Sequence, residues 1–191
     1  FQEILSYLMG KDPFHMRSIQ PYMTLGGIIL LFSLFSCQNT QPTLQTQVLV
    51  VGGGASGTPA AIQAARMGAK VILVEETPWL GGMLTAAGVG ATDGNHRLPS
   101  GLWGEFRQML YDYYGGPDSV FTGWVSNTLF EPQVGNMMWT QLVEAEPNIT
   151  RYHGYRITEV LKEGDKVTGA VFEGKDGEQL SISSDILIEA T

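Results

Sequence analysis

Basic residues are scarce in this chain: 11 Lys and Arg stand against 19 Asp and Glu among 191 residues, a formal net charge of −8. Nucleic acid needs a basic face for its phosphates, so this balance argues against such a partner. Cysteine is scarcer still. A single Cys excludes a disulfide framework within the chain, and with it any multi-cysteine zinc or iron–sulfur site built from this chain alone. No metal site is expected. Long hydrophobic runs are missing too, since the apolar stretch at residues 23–36 falls short of the roughly 20 residues a membrane-crossing helix needs. What remains is 43% hydrophobic residues, enough for one packed domain and not for two.

The stretch 23–36, MTLGGIILLFSLFS, follows Lys11 and Arg17 and gives way at once to Cys37 and polar QNTQPTLQTQ. A short apolar run with a basic approach reads as the core of an export signal. Gly26 and Gly27 interrupt it, which speaks against a buried core helix. Leu34-Phe35-Ser36-Cys37 looks like the lipobox of bacterial lipoproteins, although Phe35 is bulkier than that pattern usually has. The resemblance implies a lipidated Cys37, export to the bacterial cell envelope, and attachment to the membrane by a lipid anchor. Residues 1–15, His15 included, precede Met16-Arg17 and match no signal. The expected organisation is therefore an upstream segment and export signal at 1–36, a polar tether at 37–46 and a folded domain at 47–191. That domain keeps 21 of the 24 glycines and all of the net charge, without any repeat.

Val48 to Val51 is a short apolar run suited to a strand buried on both faces. It ends in Gly52-Gly53-Gly54. Residues 58–67 read as a helix, with Pro59 in the first turn and Gly68 closing the end. Residues 71–75, VILVE, then return as a second parallel strand. Farther on, 81–100 is a glycine-rich loop, 101–114 and 133–146 are helices, and FTGWVSNTLFEP is an aromatic loop. From about Ile149 the chain alternates and turns at EGDK and GKDG, which predicts an antiparallel β-meander before a last apolar strand at Ile186–Ile188. The fold class expected is α/β, a Rossmann-like parallel sheet with a βαβ dinucleotide-binding unit plus that meander.

A lone G-x-G-x-x-G is weak, but here Gly52, Gly54 and Gly57 follow a buried strand, open a helix, and precede a strand ending in Glu75. In such a turn the first glycine permits the sharp exit, the second lets backbone N–H groups approach a pyrophosphate, and the third lets the helix pack on the sheet. The helix start favours the phosphate charge. Glu75 is placed to accept both ribose hydroxyls and to repel a 2′-phosphate, which favours FAD or NAD over NADP. Glu76 is expected to be solvated.

A second glycine pair, in TPWLGGML, comes only a few residues after Glu75. With it the sequence resembles the FAD-dependent oxidoreductase family of the glutathione-reductase-like structural group, over about residues 47–191. The resemblance implies that Gly52, Gly53, Gly54, Ser56 and Gly57 hold phosphate, Glu75 the ribose, and Gly82 and Met83 the flavin side, with FAD as cofactor. ILIEAT looks like the start of that family's late alanine-threonine-glycine turn, so the domain is expected to be incomplete beyond Thr191. Residues near Arg156-Ile157 are implied to contact the adenine. Some relatives, subunits resembling heterodisulfide reductase, add iron–sulfur clusters held by cysteines, which one Cys does not provide.

No nucleophile–base pair is legible, and a flavoenzyme requires none, because the flavin itself accepts the hydride. His96, in DGNHRLPS, is the weak candidate for an acid or base, beside Arg97 and Asp93, with a solvated loop histidine as the plainer reading. His153 reads as structural. Trp103, Trp124 and Trp139 read as core, with Trp124 as the one that walls a pocket if any does. The function expected is oxidation of a small organic substrate, with a separate, unidentified electron acceptor. The alternatives are an NAD-dependent dehydrogenase and a non-enzymatic lipoprotein on a degenerate nucleotide fold.

Overall fold

Strand β1, Leu44–Val51, changes character halfway: its first residues alternate between half-buried and exposed, and Val48 to Val51 are all buried. Only the second half is covered on both faces. The computed structural model describes residues 43–93, 97–98, 100–122 and 126–191. The export and lipidation readings at 1–37, together with His96 and Trp124, lie outside the described residues. Helix α1, Gly57–Arg66, leads from β1 to β2, Val71–Glu75, which is buried throughout. The two strands run parallel, with Val48 against Val71 and Val51 against Val74.

After β2 the chain makes a 3-10 turn at Gly82–Leu84 and a short strand β3, Ala91–Thr92. Helices α2, Gly101–Tyr114, and α3, Pro117–Val120, follow, with Gly115 in the left-handed conformation between them. Strand β4, Thr128–Leu129, pairs antiparallel with β3, and helix α4, Pro132–Glu144, comes next. The helices expected at 58–67, 101–114 and 133–146 are thus present, although the last stops at Glu144, before Pro147. The glycine-rich and aromatic loops are joined to each other through the β3–β4 ribbon.

Strand β5, Ile149–His153, is a correction to the expected meander: it runs parallel to β2, with Val71 against Ile149 and Glu75 against His153. It closes a helical crossover, which is the connection that parallel neighbours require. Strands β6, Tyr155–Glu163, and β7, Lys166–Gly174, then form an antiparallel pair. Strand β8, Gln179–Glu189, pairs antiparallel with β7 through its first half and parallel with β1 from Leu44–Ile182 to Val51–Glu189. The last meander strand and the apolar strand at Ile186–Ile188 are one element. The sheet order is β5-β2-β1-β8-β7-β6.

Only Gly154, at φ +79°, separates β5 from β6, yet those strands stand at opposite ends of that order. The sheet must therefore curl until its two ends meet, and β6 does touch β2. This curl makes two cores. Val48, Val50, Val71 and Leu73 face Ala61, Ile62, Phe106, Met138 and Trp139 on the helical side. Leu49, Val51, Ile72 and Val74 face Ala170, Phe172 and Ile182 under the meander. The wholly apolar run at Val48–Val51 needs both covers. Trp139 stacks on Phe106 at 4.4 Å and Trp103 stacks on it at 6.4 Å, so two of the three tryptophans expected in the core pack in the helical layer. Such pairs add about 0.5–1.5 kcal/mol beyond burial.

Candidate functional site

The parallel registers bring β2, β1 and β8 to the same level at their carboxyl ends, Val74 beside Val51 and Val51 beside Glu189. From β1 the chain leaves towards β2 on one side, while β8 arrives from the other. Ligands of open α/β sheets bind at such a switch point. A cavity of about 240 Å³ opens there, lined by Gly52, Gly54, Glu75, Gly82, Tyr155 and Thr191 among others. Drug-sized ligands occupy about 300–1,000 Å³, so this space suits one end of a dinucleotide.

The glycines of the motif divide into two kinds. A Cβ on Gly57 would lie 1.9 Å from the Gly52 carbonyl oxygen, and one on Gly52, at φ +97°, would lie 2.6 Å from the Ala190 carbonyl oxygen. The fold alone demands glycine at both. Gly54 is different: its Cβ would meet nothing closer than the Ala190 carbonyl oxygen at 3.6 Å, an ordinary contact. Its bare side faces the cavity, where a Cβ would occupy ligand space.

Hydrogen bonding follows the same division. Gly52 N–H donates to Val74 at 2.8 Å, and Gly53 N–H donates to Glu75 Oε2 at 2.6 Å. The Gly53 carbonyl accepts from Thr58 Oγ1 at 2.7 Å and from Gly81 N–H at 2.8 Å. Beyond Gly53, the N–H groups of Gly54, Ala55, Ser56 and Gly57 find no acceptor among the described residues. Helix α1 carries no acidic residue in its first turn, and the Ser56 side chain does not cap it. A helix start left in this condition is an anion site. The donor set fits a diphosphate.

Glu75 is 8% exposed and lines the cavity. Its Oε1 accepts from Thr77 N–H at 2.8 Å, opposite the bond from Gly53 to Oε2. A carboxylate offers about four acceptor positions, so two stay open for ribose hydroxyls. Glu76 is exposed at the rim of the cavity. Gly82 packs on the nucleotide loop, since its Cβ would lie 2.9 Å from Gly54 Cα. Leu80 N–H donates to Asn136 Oδ1 at 2.9 Å, which ties this second glycine pair to α4.

Four of the residues expected to hold the cofactor, Gly52, Gly54, Glu75 and Gly82, line the cavity, and so do Arg156 and Ile157. Gly53 and Gly57 stand behind it as buried supports. Ser56 is exposed at the helix start, and Met83 is 67% exposed outside the cavity. Asp93 and Arg97 are exposed. His153 Nδ1 donates to the Thr77 carbonyl at 3.0 Å, a structural tie between β5 and the turn after Glu75. Sequence reasoning missed Thr77, Tyr155 and Phe172, which reach the cavity through the turn after β2 and the curl of the meander. Thr191 also lines it; its N–H and hydroxyl both donate to Glu189 Oε1, and the hydroxyl's bond chiefly holds that carboxyl below its usual value. Among the described residues, no helix is long and apolar enough to cross a membrane and no cluster of residues suits a metal ion.

A strand–glycine turn–helix unit followed by a strand that ends on a buried acid, set in a mostly parallel sheet, is the arrangement of a dinucleotide-binding protein. The family model for FAD-dependent oxidoreductases matches residues 47–191. The chain belongs to that family, and FAD is its cofactor. It is 29% identical over 119 residues to a probable fumarate reductase, Ifc3, of Shewanella frigidimarina (strain NCIMB 400), covering 61% of this chain and 20% of the relative. The chain thus spans about a fifth of that curated relative's length. The E. coli quinol fumarate reductase FrdA shares the fold, with a TM-score of 0.53, 18% identity, and coverage of 79% of this chain and 33% of the other. A geranylgeranyl bacteriochlorophyll reductase-like protein from Thermoplasma acidophilum superposes with a TM-score of 0.52 and 19% identity, over 78% of this chain and 40% of the other. The nicotinamide alternative gains nothing from these comparisons.

Proposed function

We propose that the chain is the FAD-binding portion of an oxidoreductase that takes a hydride from a small organic substrate and passes the electrons to a separate acceptor. One observation carries this reading: four N–H groups, from Gly54 to Gly57, without acceptors among the described residues, stand at the switch point beside a buried Glu75. In this reading the amides of Gly54, Ala55, Ser56 and Gly57 bind the diphosphate. The free lone pairs of Glu75 take the ribose hydroxyls, and the Tyr155–Ile157 segment borders the adenine. The turn at Gly82 and Met83 flanks the flavin end. The bound flavin supplies two-electron chemistry that no side chain here provides.

His96, three residues after Asp93 in the sequence, is proposed as the acid or base. Cys37 is proposed as the lipid attachment point, which would put the protein at the bacterial cell envelope on the periplasmic or outer side. The test is direct. The purified chain should carry, or take up from added FAD, a yellow chromophore with flavin absorption in the visible. Anaerobic addition of small organic acids and alcohols should bleach it with the true substrate. Absence of any flavin uptake would refute the reading.

A further inference from the structure

We propose that Glu75 is a positioning residue as well as a ribose contact: its carboxylate sets the phosphate-binding loop before any nucleotide arrives. The inference rests on the nucleotide site proposed above. Gly53 is the residue on which it turns. Its N–H is held by Glu75 Oε2 at 2.6 Å, and its carbonyl by Thr58 Oγ1 at 2.7 Å and Gly81 N–H at 2.8 Å. The peptide groups on either side of Gly53 are thereby fixed, the one before it from β2 and the one after it from α1 and the second glycine pair. Thr77 N–H, at 2.8 Å, holds the other carboxylate oxygen still. A Cβ on Gly53 would lie 3.1 Å from Oε2 and 2.8 Å from Leu80 Cδ2, so a side chain there would crowd both the acid and Leu80.

The four amides that follow have no acceptor among the described residues, and their direction is set by the anchored peptide before them. A loop already in its bound shape spares the ligand the cost of ordering it. This makes a prediction of opposite sign to that of a simple ribose contact. An acid that only grips ribose repels any anion lacking a ribose, so removing its charge leaves pyrophosphate binding unchanged or strengthens it. An acid that braces the loop supports pyrophosphate binding despite its charge.

The experiment titrates inorganic pyrophosphate and ADP into the full chain, wild type and Glu75→Gln, by calorimetry. Glutamine keeps the size but turns an amide N–H2 towards one of the two backbone donors. The brace predicts that pyrophosphate affinity falls about fivefold or more. Equal or tighter pyrophosphate binding by the variant overturns the proposal and leaves the nucleotide site standing. A wild-type chain that binds neither ligand takes down the nucleotide site, and the proposal with it. Amide exchange in the ligand-free wild type gives a measurement that does not depend on the variant folding. Gly53 should exchange at least about a hundredfold more slowly than Gly54 and Ala55; equal rates overturn the brace.

Discussion

Two of the regions that leave polar groups without partners among the described residues do so in opposite ways. At the nucleotide loop the unmet groups are the backbone amides of Gly54 to Gly57, which start at Gly54 on the wall of an open cavity. In the β3–β4 ribbon they are the buried hydroxyls of Thr92 and Thr128, residues paired across one rung. Thr128 is 0% exposed, and Ser126 Oγ satisfies its backbone without reaching its hydroxyl. An unmet donor that faces a cavity offers binding to a ligand. A buried hydroxyl with nothing to reach is a cost to stability, commonly about 1–3 kcal/mol.

The sharpest way to break this contrast lies inside the motif itself, where neighbouring glycines should fail differently. Gly57→Ala drives a Cβ to 1.9 Å from a backbone oxygen and should cost about 3 kcal/mol or more, measured by denaturant unfolding of the apo chain. Gly54→Ala meets only an ordinary contact, so stability should change by less than about 1 kcal/mol. FAD affinity, followed by quenching of flavin fluorescence, should nevertheless fall at least about tenfold as the methyl enters phosphate space. If Gly54→Ala binds FAD normally, the open side of that residue is not where the diphosphate lies.

Much of this was legible from sequence because it is local. Gly52, Gly54, Gly57 and Glu75 belong to one strand–turn–helix–strand unit, whose spacing already states which backbone must come close to what. The rest depends on long-range register. Ile149–His153 alternates much as a meander strand does, and only the helical crossover before it decides that it runs parallel beside β2. Tyr155 and Phe172 reach the cavity because a single residue, Gly154, forces the sheet to curl, and no local pattern announces that. The spacing of Glu75 points to a sugar contact alone, whereas its shortest hydrogen bond is with the protein's own Gly53.

The ribbon offers a change of smaller size and opposite direction. Thr128→Val keeps the shape and removes a buried hydroxyl that has no partner among the described residues, so unfolding free energy should rise by about 1 kcal/mol with FAD affinity unchanged. A comparable loss of stability would show that the hydroxyl holds a polar partner, and the contrast between the two regions would disappear.

The smallest effect is expected where partners are plentiful. Arg66, in the last turn of α1, pairs with Glu105 at 2.8 Å and Glu146 at 2.7 Å, which clips α1 to α2 and to the end of α4. The hydrogen bond from Arg66 is the main cause holding the Glu105 carboxyl below its usual value. A depressed acid contributes stability above its unfolded value and loses it as pH falls through the folded one, so the clip weakens on acidification. Solvent screens the pair, whose side chains are 31% and 43% exposed. Glu105→Gln should therefore cost no more than about 0.5–1 kcal/mol at neutral pH, less in high salt, and nothing once the acid is protonated. Denaturant unfolding at neutral and acidic pH measures it, and a cost that grows on acidification would mean that the ion pair is not what joins these helices.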